Sequence, residues 1–135
     1  VSTDRRVVLD ASAVLAWVMR ERGAETIDVL LPYAVVPVSA LVETLYRARE
    51  LGHGLASADL HRDLISMGIA VEPVTEHDAL RAADLIARSR AGRGGSLSLG
   101  DGLCLAVAER IGLTVTGGDQ LWETLDLAVE YRPFR

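Results

Sequence analysis

Four short apolar runs punctuate this chain: Val7-Val8-Leu9-Asp10, Ala34-Val35-Val36, Ile69-Ala70-Val71-Glu72 and Leu113-Thr114-Val115-Thr116. The first three do not alternate apolar with polar, and all four read as short strands of a sheet covered on both faces. Between them lie stretches with helical signals. Ser12 is placed to cap a helix over Ala13–Arg20, and a second over Ala24–Leu31 stops at Pro32. Helices are also expected over Ser39–Leu51, ended by Gly52, over Ala56–Met67, and over Glu76–Arg90 with Thr75 as N-cap. A last helix runs over Leu99–Ile111 with Gly112 as C-cap, and Leu127–Glu130 offers a fifth strand. Strand and helix alternating in this way predict an α/β fold. The expected architecture is a single three-layer α/β/α domain over residues 1–135, with a central, mainly parallel sheet.

Composition removes several functions. All 14 basic residues are arginine, so the chain has no lysine for a P-loop or a Schiff base. One cysteine, Cys104, excludes an internal disulfide framework and a Cys-based zinc cluster. The longest uncharged stretch, Val29–Val42, is broken by Pro32 and Pro37 and falls short of the roughly 20 residues of a membrane span. With no apolar leader near residue 1, a cytoplasmic setting is expected. His53, His61 and His77 lack the close pairing of a zinc site. Cys104, Trp17 and Trp122 read as core or interface residues.

Four acids stand where an α/β sheet places its chemistry, beyond the carboxyl ends of strands. Asp10 closes the first strand, and Glu43 falls in the first turn of the helix after the second. Asp101 lies near the start of the helix before the fourth strand, and Asp119 follows that strand in Gly117-Gly118-Asp119. Asp101 heads a helical stripe whose other members are Cys104, Leu105 and Ala108. Two carboxylates about 5 Å apart repel by about 3 kcal/mol at an effective dielectric near 20. A hard divalent cation with oxygen ligands, Mg²⁺ or Mn²⁺, relieves that repulsion.

Each acid also has a structural reading. Ser98-Leu99-Gly100-Asp101 matches a capping box, Glu43 suits a helix dipole, and Asp119 suits a glycine turn. Asp10 has few such duties on the sequence, and the case rests on the four together.

The order and spacing of these segments resemble the PIN-domain ribonucleases, specifically the VapC-type toxins of type II toxin–antitoxin pairs. Val8-Leu9-Asp10-Ala11-Ser12-Ala13 looks like the family's first segment, and Ser39-Ala40-Leu41-Val42-Glu43 like its second. Ser96–Ala106, with Asp101, looks like its third, and Gly117-Gly118-Asp119-Gln120-Leu121-Trp122 like its fourth. The family commonly has threonine two residues before the fourth acid; here that place is Gly117, with Thr116 one residue earlier.

The resemblance implies metal-dependent endonucleolytic cleavage of RNA. Asp10 and Asp101 would hold Mg²⁺ or Mn²⁺ directly, Glu43 and Asp119 would complete the catalytic pocket, and Ser12 would orient a ligand beside Asp10 or cap its helix. It also implies a homodimer bound by a VapB-type antitoxin, which a groove including Trp17, Val29 and Leu30 would receive. Arg81, Arg88, Arg90 and Arg93, with only Asp84 among them, form a candidate RNA-binding cluster that Arg47 and Arg49 would extend. Two other readings are a non-catalytic PIN-like module that binds RNA or a partner, and a PIN nuclease of RNA processing without an antitoxin.

Overall fold

A computed structural model describes residues 4–92 and 95–135. Five strands, β1 (Val7–Leu9), β2 (Ala34–Pro37), β3 (Ala70–Glu72), β4 (Thr114–Gly117) and β5 (Tyr131–Pro133), form one sheet in the order β3-β2-β1-β4-β5. Every pairing is parallel. The helices are α1 (Ala11–Val18), α2 (Ala24–Leu30), α3 (Val38–Glu50), α4 (Ser57–Ser66), α5 (Glu76–Ala91) and α6 (Leu99–Ile111).

Side-chain alternation along the strands feeds two cores. Val7, Leu9, Ala34 and Val36 point to one face, where they pack with Val14, Ile27, Ala40, Leu64 and Phe134 under α1–α4. Val8, Val35 and Val115 point to the other, where Leu85 of α5, Cys104 and Leu105 of α6, and Trp122 cover them. The sheet is therefore sandwiched, as expected, and Cys104 and Trp122 are core residues. Burying a side chain such as Leu9 or Leu105 completely contributes about 1.5–3 kcal/mol.

α5 and α6 run antiparallel, and their ends are closed by capping boxes, Thr75 with Asp78 and Ser98 with Asp101. The left-handed Gly112 ends α6. Polar bridges tie the pair together. Arg81 Nε donates to Glu109 Oε1 at 2.6 Å, and Arg110 Nε donates to Asp78 Oδ1 at 2.9 Å. Asp78 is completely buried, and Arg110 Nη2 also reaches Glu72 and the Pro73 carbonyl.

Three expectations are corrected here. Residues 127–130 are not the fifth strand; pairing occupies Tyr131–Pro133, with the Val115 N–H donating to the Glu130 carbonyl at 2.9 Å where the ladder begins. Leu127 and Val129 are apolar because they pack on the second core, and Ala128 N–H is held by Glu109 at 2.8 Å. Ser12 is not the N-cap of α1. The helix begins at Ala11, and Asp10 caps it by accepting from Ala13 N–H at 2.9 Å. Glu43 lies in the second turn of α3, which starts at Val38, so the helix dipole gives no account of it.

Candidate functional site

β1 is central, and the chain turns to opposite sides of it to make β2 and β4. A crevice opens beyond the carboxyl ends of strands at such a reversal. Here it is a cleft of about 1040 Å³, lined by Asp10, Glu43, Asp101 and Asp119. The four acids predicted from sequence thus share one cavity, delivered by β1, α3, α6 and the segment after β4.

Asp10 is the most constrained. It is 5 % exposed and takes hydrogen bonds from Ala13 N–H and from the Ser12 hydroxyl, at 2.8 and 2.9 Å to its two oxygens. Ser12 Oγ in turn accepts from Gly118 N–H at 3.1 Å, so one hydroxyl links the first and fourth segments. Asp10 therefore does have a structural duty, as a helix cap, but that duty does not account for its burial among other acids. Burial pushes its carboxyl up to about 7 against these hydrogen bonds, and the charges of Asp101 and Glu43 push in the same direction. Burial likewise raises Asp101, with Asp119 and Glu43 adding to it.

Two glycines make this crowding possible. A Cβ at Gly117 would lie 2.8 Å from Asp10 Oδ2 and 3.0 Å from its Cγ. One at Gly100 would lie 2.6 Å from Glu43 Oε1. The Asp10 carboxylate occupies the space that a side chain at 117 would need. Gly117→Ala should displace an Asp10 that its cap holds in place, weakening divalent-cation binding in the cleft by roughly 10- to 100-fold. Mn²⁺ titration by calorimetry, on protein of matched melting temperature, would check this; a parent-like affinity would contradict it.

The remaining acids serve two duties each. The Asp101 N–H is capped by Ser98 Oγ at 3.1 Å while its carboxylate lines the cleft. Glu43 lies 3.7 Å from Arg47 along α3. Asp119 is exposed at the rim and accepts from Leu121 N–H at 2.9 Å.

All four donors are carboxylates, the hard oxygen ligands that suit Mg²⁺ or Mn²⁺. Among the described residues no three His, Cys, Asp or Glu side chains stand close enough to share one ion as placed. Mg²⁺ needs only one or two protein carboxylates, with water filling its other positions. The buried Asp10 and half-buried Asp101 carboxylates, lining one cleft, fit that demand.

The basic cluster expected on α5 is largely committed elsewhere. Arg81 is bound to Glu109 and Asp84, and Arg88 to Asp84 at 3.1 Å. Arg90 is exposed and does not line the cleft, and Arg93 lies outside the described residues. Sequence reasoning missed other wall residues: Ser39, Tyr46 and Arg135. Ser39 and Tyr46 sit four before and three after Glu43, a helical spacing that would have found them. Arg135 carries no such signal. Ser39 Oγ is buried without a hydrogen-bond partner.

The family model described as PIN domain matches residues 7–125. The chain belongs to the PIN domain family. Among curated proteins, none matches it in sequence. Solved structures match its fold. A chain of the DNA-bound VapBC of Salmonella typhimurium is 15% identical with a TM-score of 0.70, over 97% of this chain and 99% of that one. VapC20 of Mycobacterium tuberculosis, described as a sarcin–ricin loop cleaving toxin, is 18% identical with a TM-score of 0.70, over 92% and 98%. A chain of FitAcB from Neisseria gonorrhoeae is 19% identical with a TM-score of 0.64, over 92% and 96%.

Proposed function

We propose that this chain is a divalent-metal-dependent endoribonuclease and the toxin of a type II toxin–antitoxin pair. The observation that carries the reading is Asp10: a carboxylate buried beside Asp101 and Glu43 in an open cleft, at a cost that no ion pair among the described residues offsets. PIN family membership supports it, as do the VapC and VapBC structures that share the fold.

In this reading Asp10 and Asp101 hold the ion, Mg²⁺ or Mn²⁺, while Glu43 and Asp119 complete the acidic pocket. When bound, the ion supplies positive charge to a phosphodiester and acidifies water at neutral pH. The chain's own residues do the positioning. Ser12 and Ala13 N–H orient the Asp10 oxygens, Gly117 and Gly100 leave the carboxylates room, and Ser98 fixes the first turn of α6.

The reading includes a homodimer in the cytoplasm and a VapB-type antitoxin as partner. Among the described residues no helix is long and apolar enough to cross a membrane. For the antitoxin, the α1–α2 surface offers Val29, 67 % exposed, beside a half-buried Trp17 whose Nε1 donates to Asp28 at 2.9 Å.

The test is incubation of total cellular RNA with purified, partner-free protein in Mg²⁺, in Mn²⁺ and in EDTA. An Asp10→Asn/Asp101→Asn variant of verified fold is run alongside. Discrete fragments that need metal and vanish in the variant are expected. Intact RNA under both metals, or equal cutting by parent and variant, would overturn the proposal.

A further inference from the structure

An acidic cleft that takes RNA must hold a polyanion against its own charge. The cations that line this one, among the described residues, are Arg47 and Arg135. Arg47 faces Glu43 at 3.7 Å, so its charge is shared. Arg135 forms no ion pair with any described carboxylate; its guanidinium carbon lies 4.9 Å from the centroid of the Phe134 ring.

Arg135 is not loosely hung. Phe134 is 6 % exposed and belongs to the core beneath α1–α4. Its N–H donates to the Gly117 carbonyl at 3.3 Å, continuing the β4–β5 register in which Gly117 faces Pro133. Its ring fills the space over Gly23, where a Cβ would lie 2.5 Å from Phe134 Cδ2. The next residue is thereby delivered to Gly118. A Cβ there would be 3.4 Å from both Arg135 Nε and Ser12 Oγ, the hydroxyl that orients Asp10. A buried aromatic ring and a backbone bond to Gly117 thus hold one guanidinium beside the residue pair that positions the cleft's most buried acid.

We infer that Arg135 is the cleft's phosphate-gripping residue, binding an RNA phosphate alongside the acid-held ion. This rests on the nuclease reading above. The planar guanidinium offers two parallel N–H groups to phosphate oxygens, a geometry lysine cannot supply. Stacking on Phe134 keeps it extended over the cleft and limits the rotamer freedom lost when phosphate binds. Charge that the α5 arginines spend on Glu109 and Asp84 is supplied here instead.

The experiment compares parent, Arg135→Ala and Arg135→Lys. It measures affinity for a fluorescent 20-nucleotide single-stranded RNA in EDTA across salt concentrations, Mn²⁺ affinity by calorimetry, and cleavage of the same RNA in Mn²⁺. Arg135→Ala should weaken RNA binding roughly tenfold or more and flatten the log–log salt slope by about 0.7, one phosphate's share. Its Mn²⁺ affinity and melting temperature should stay at the parent's. Arg135→Lys should restore the slope but only part of the affinity. Unchanged RNA affinity and slope in Arg135→Ala would overturn the assignment while leaving the nuclease standing. So would RNA binding, Mn²⁺ binding and melting temperature that fall together, since that marks a structural role. A parent that neither binds nor cuts RNA would overturn the nuclease reading, and the assignment with it.

Discussion

Asp10→Asn is expected to abolish the proposed RNA cleavage and, in the same protein without metal, to raise the melting temperature at pH 8. The loss follows from the proposed role, since removing a ligand charge forfeits several kcal/mol of phosphate stabilisation, about 10³-fold in rate. The gain follows from burial. The Asp10 carboxyl is pushed up to about 7, above its ordinary value of 3.8, first by desolvation and then by Asp101 and Glu43. Between those values the folded state holds a proton that the unfolded state has lost. Stability therefore falls as pH rises from about 4 to 7, and the full penalty, on the order of 2–4 kcal/mol, stands above pH 7. Asparagine removes the charge and keeps the cap to Ala13 N–H, because Asn and Asp cap helices about equally well. Thermal melts of parent and variant in EDTA at pH 5 and pH 8 check it. The variant should gain most at pH 8 and roughly a third to a half as much at pH 5. A destabilised variant at pH 8 would mean that the buried charge is already compensated.

The largest stability loss is expected far from the cleft, at Arg110→Ala. Asp78 is completely buried, and its carboxylate takes Arg110 Nε at 2.9 and 3.2 Å and Thr75 N–H at 2.9 Å. Removing the guanidinium strands that charge inside the protein and frees Glu72, costing about 3 kcal/mol. Burial alone would raise the Asp78 carboxyl, but the hydrogen bonds from Arg110 and Thr75 outweigh it and hold it below the ordinary carboxylate range. The pair's contribution is therefore fully present above about pH 4 and is lost as pH falls through the depressed folded value. Urea denaturation of parent and Arg110→Ala should show the full gap at pH 7 and a shrinking one toward pH 3. A gap of the same size at both pH values would assign the loss to side-chain packing.

What the sequence made legible was what local chemistry decides. Thr75 and Ser98 announce their helices because each carries its own N3 acid, and Gly112 ends one because only glycine takes the left-handed turn easily. β1 and β2 were readable because burial on both faces leaves no polar alternation. Asp10, Asp101 and Asp119 were readable because each ends or opens an element; Glu43, in the second turn of α3, has no such mark. What long-range contacts decide was not legible. Leu127 and Val129 look like a strand because both are apolar, yet their partner is the core and the ladder starts only at Tyr131. Ser12 and Asp10 are both capping residues, and the register of the first helical turn chose the aspartate. Arg81 and Arg88 look like a free basic patch until the fold brings Glu109 to one and the helix brings Asp84 to both. Arg135 has no pattern in sequence; only the burial of Phe134 places it.

The central position of β1 has a consequence for the order in which the molecule can be completed. Its first neighbour, β2, follows within about thirty residues, but its second, β4, begins only at Thr114. During synthesis the amino-terminal half can pack α1–α4 against one face while the other edge of β1 stays open. Asp10 is then present without Asp101, without Asp119 and without the Gly118 amide that steadies Ser12. The cleft closes only when translation has passed nearly the whole sheet, through contacts among the most distant in the chain. For a chain with the activity proposed here, emerging beside ribosomal RNA, such late closure is a safeguard written into strand order: the unfinished polypeptide has no complete active site with which to cut.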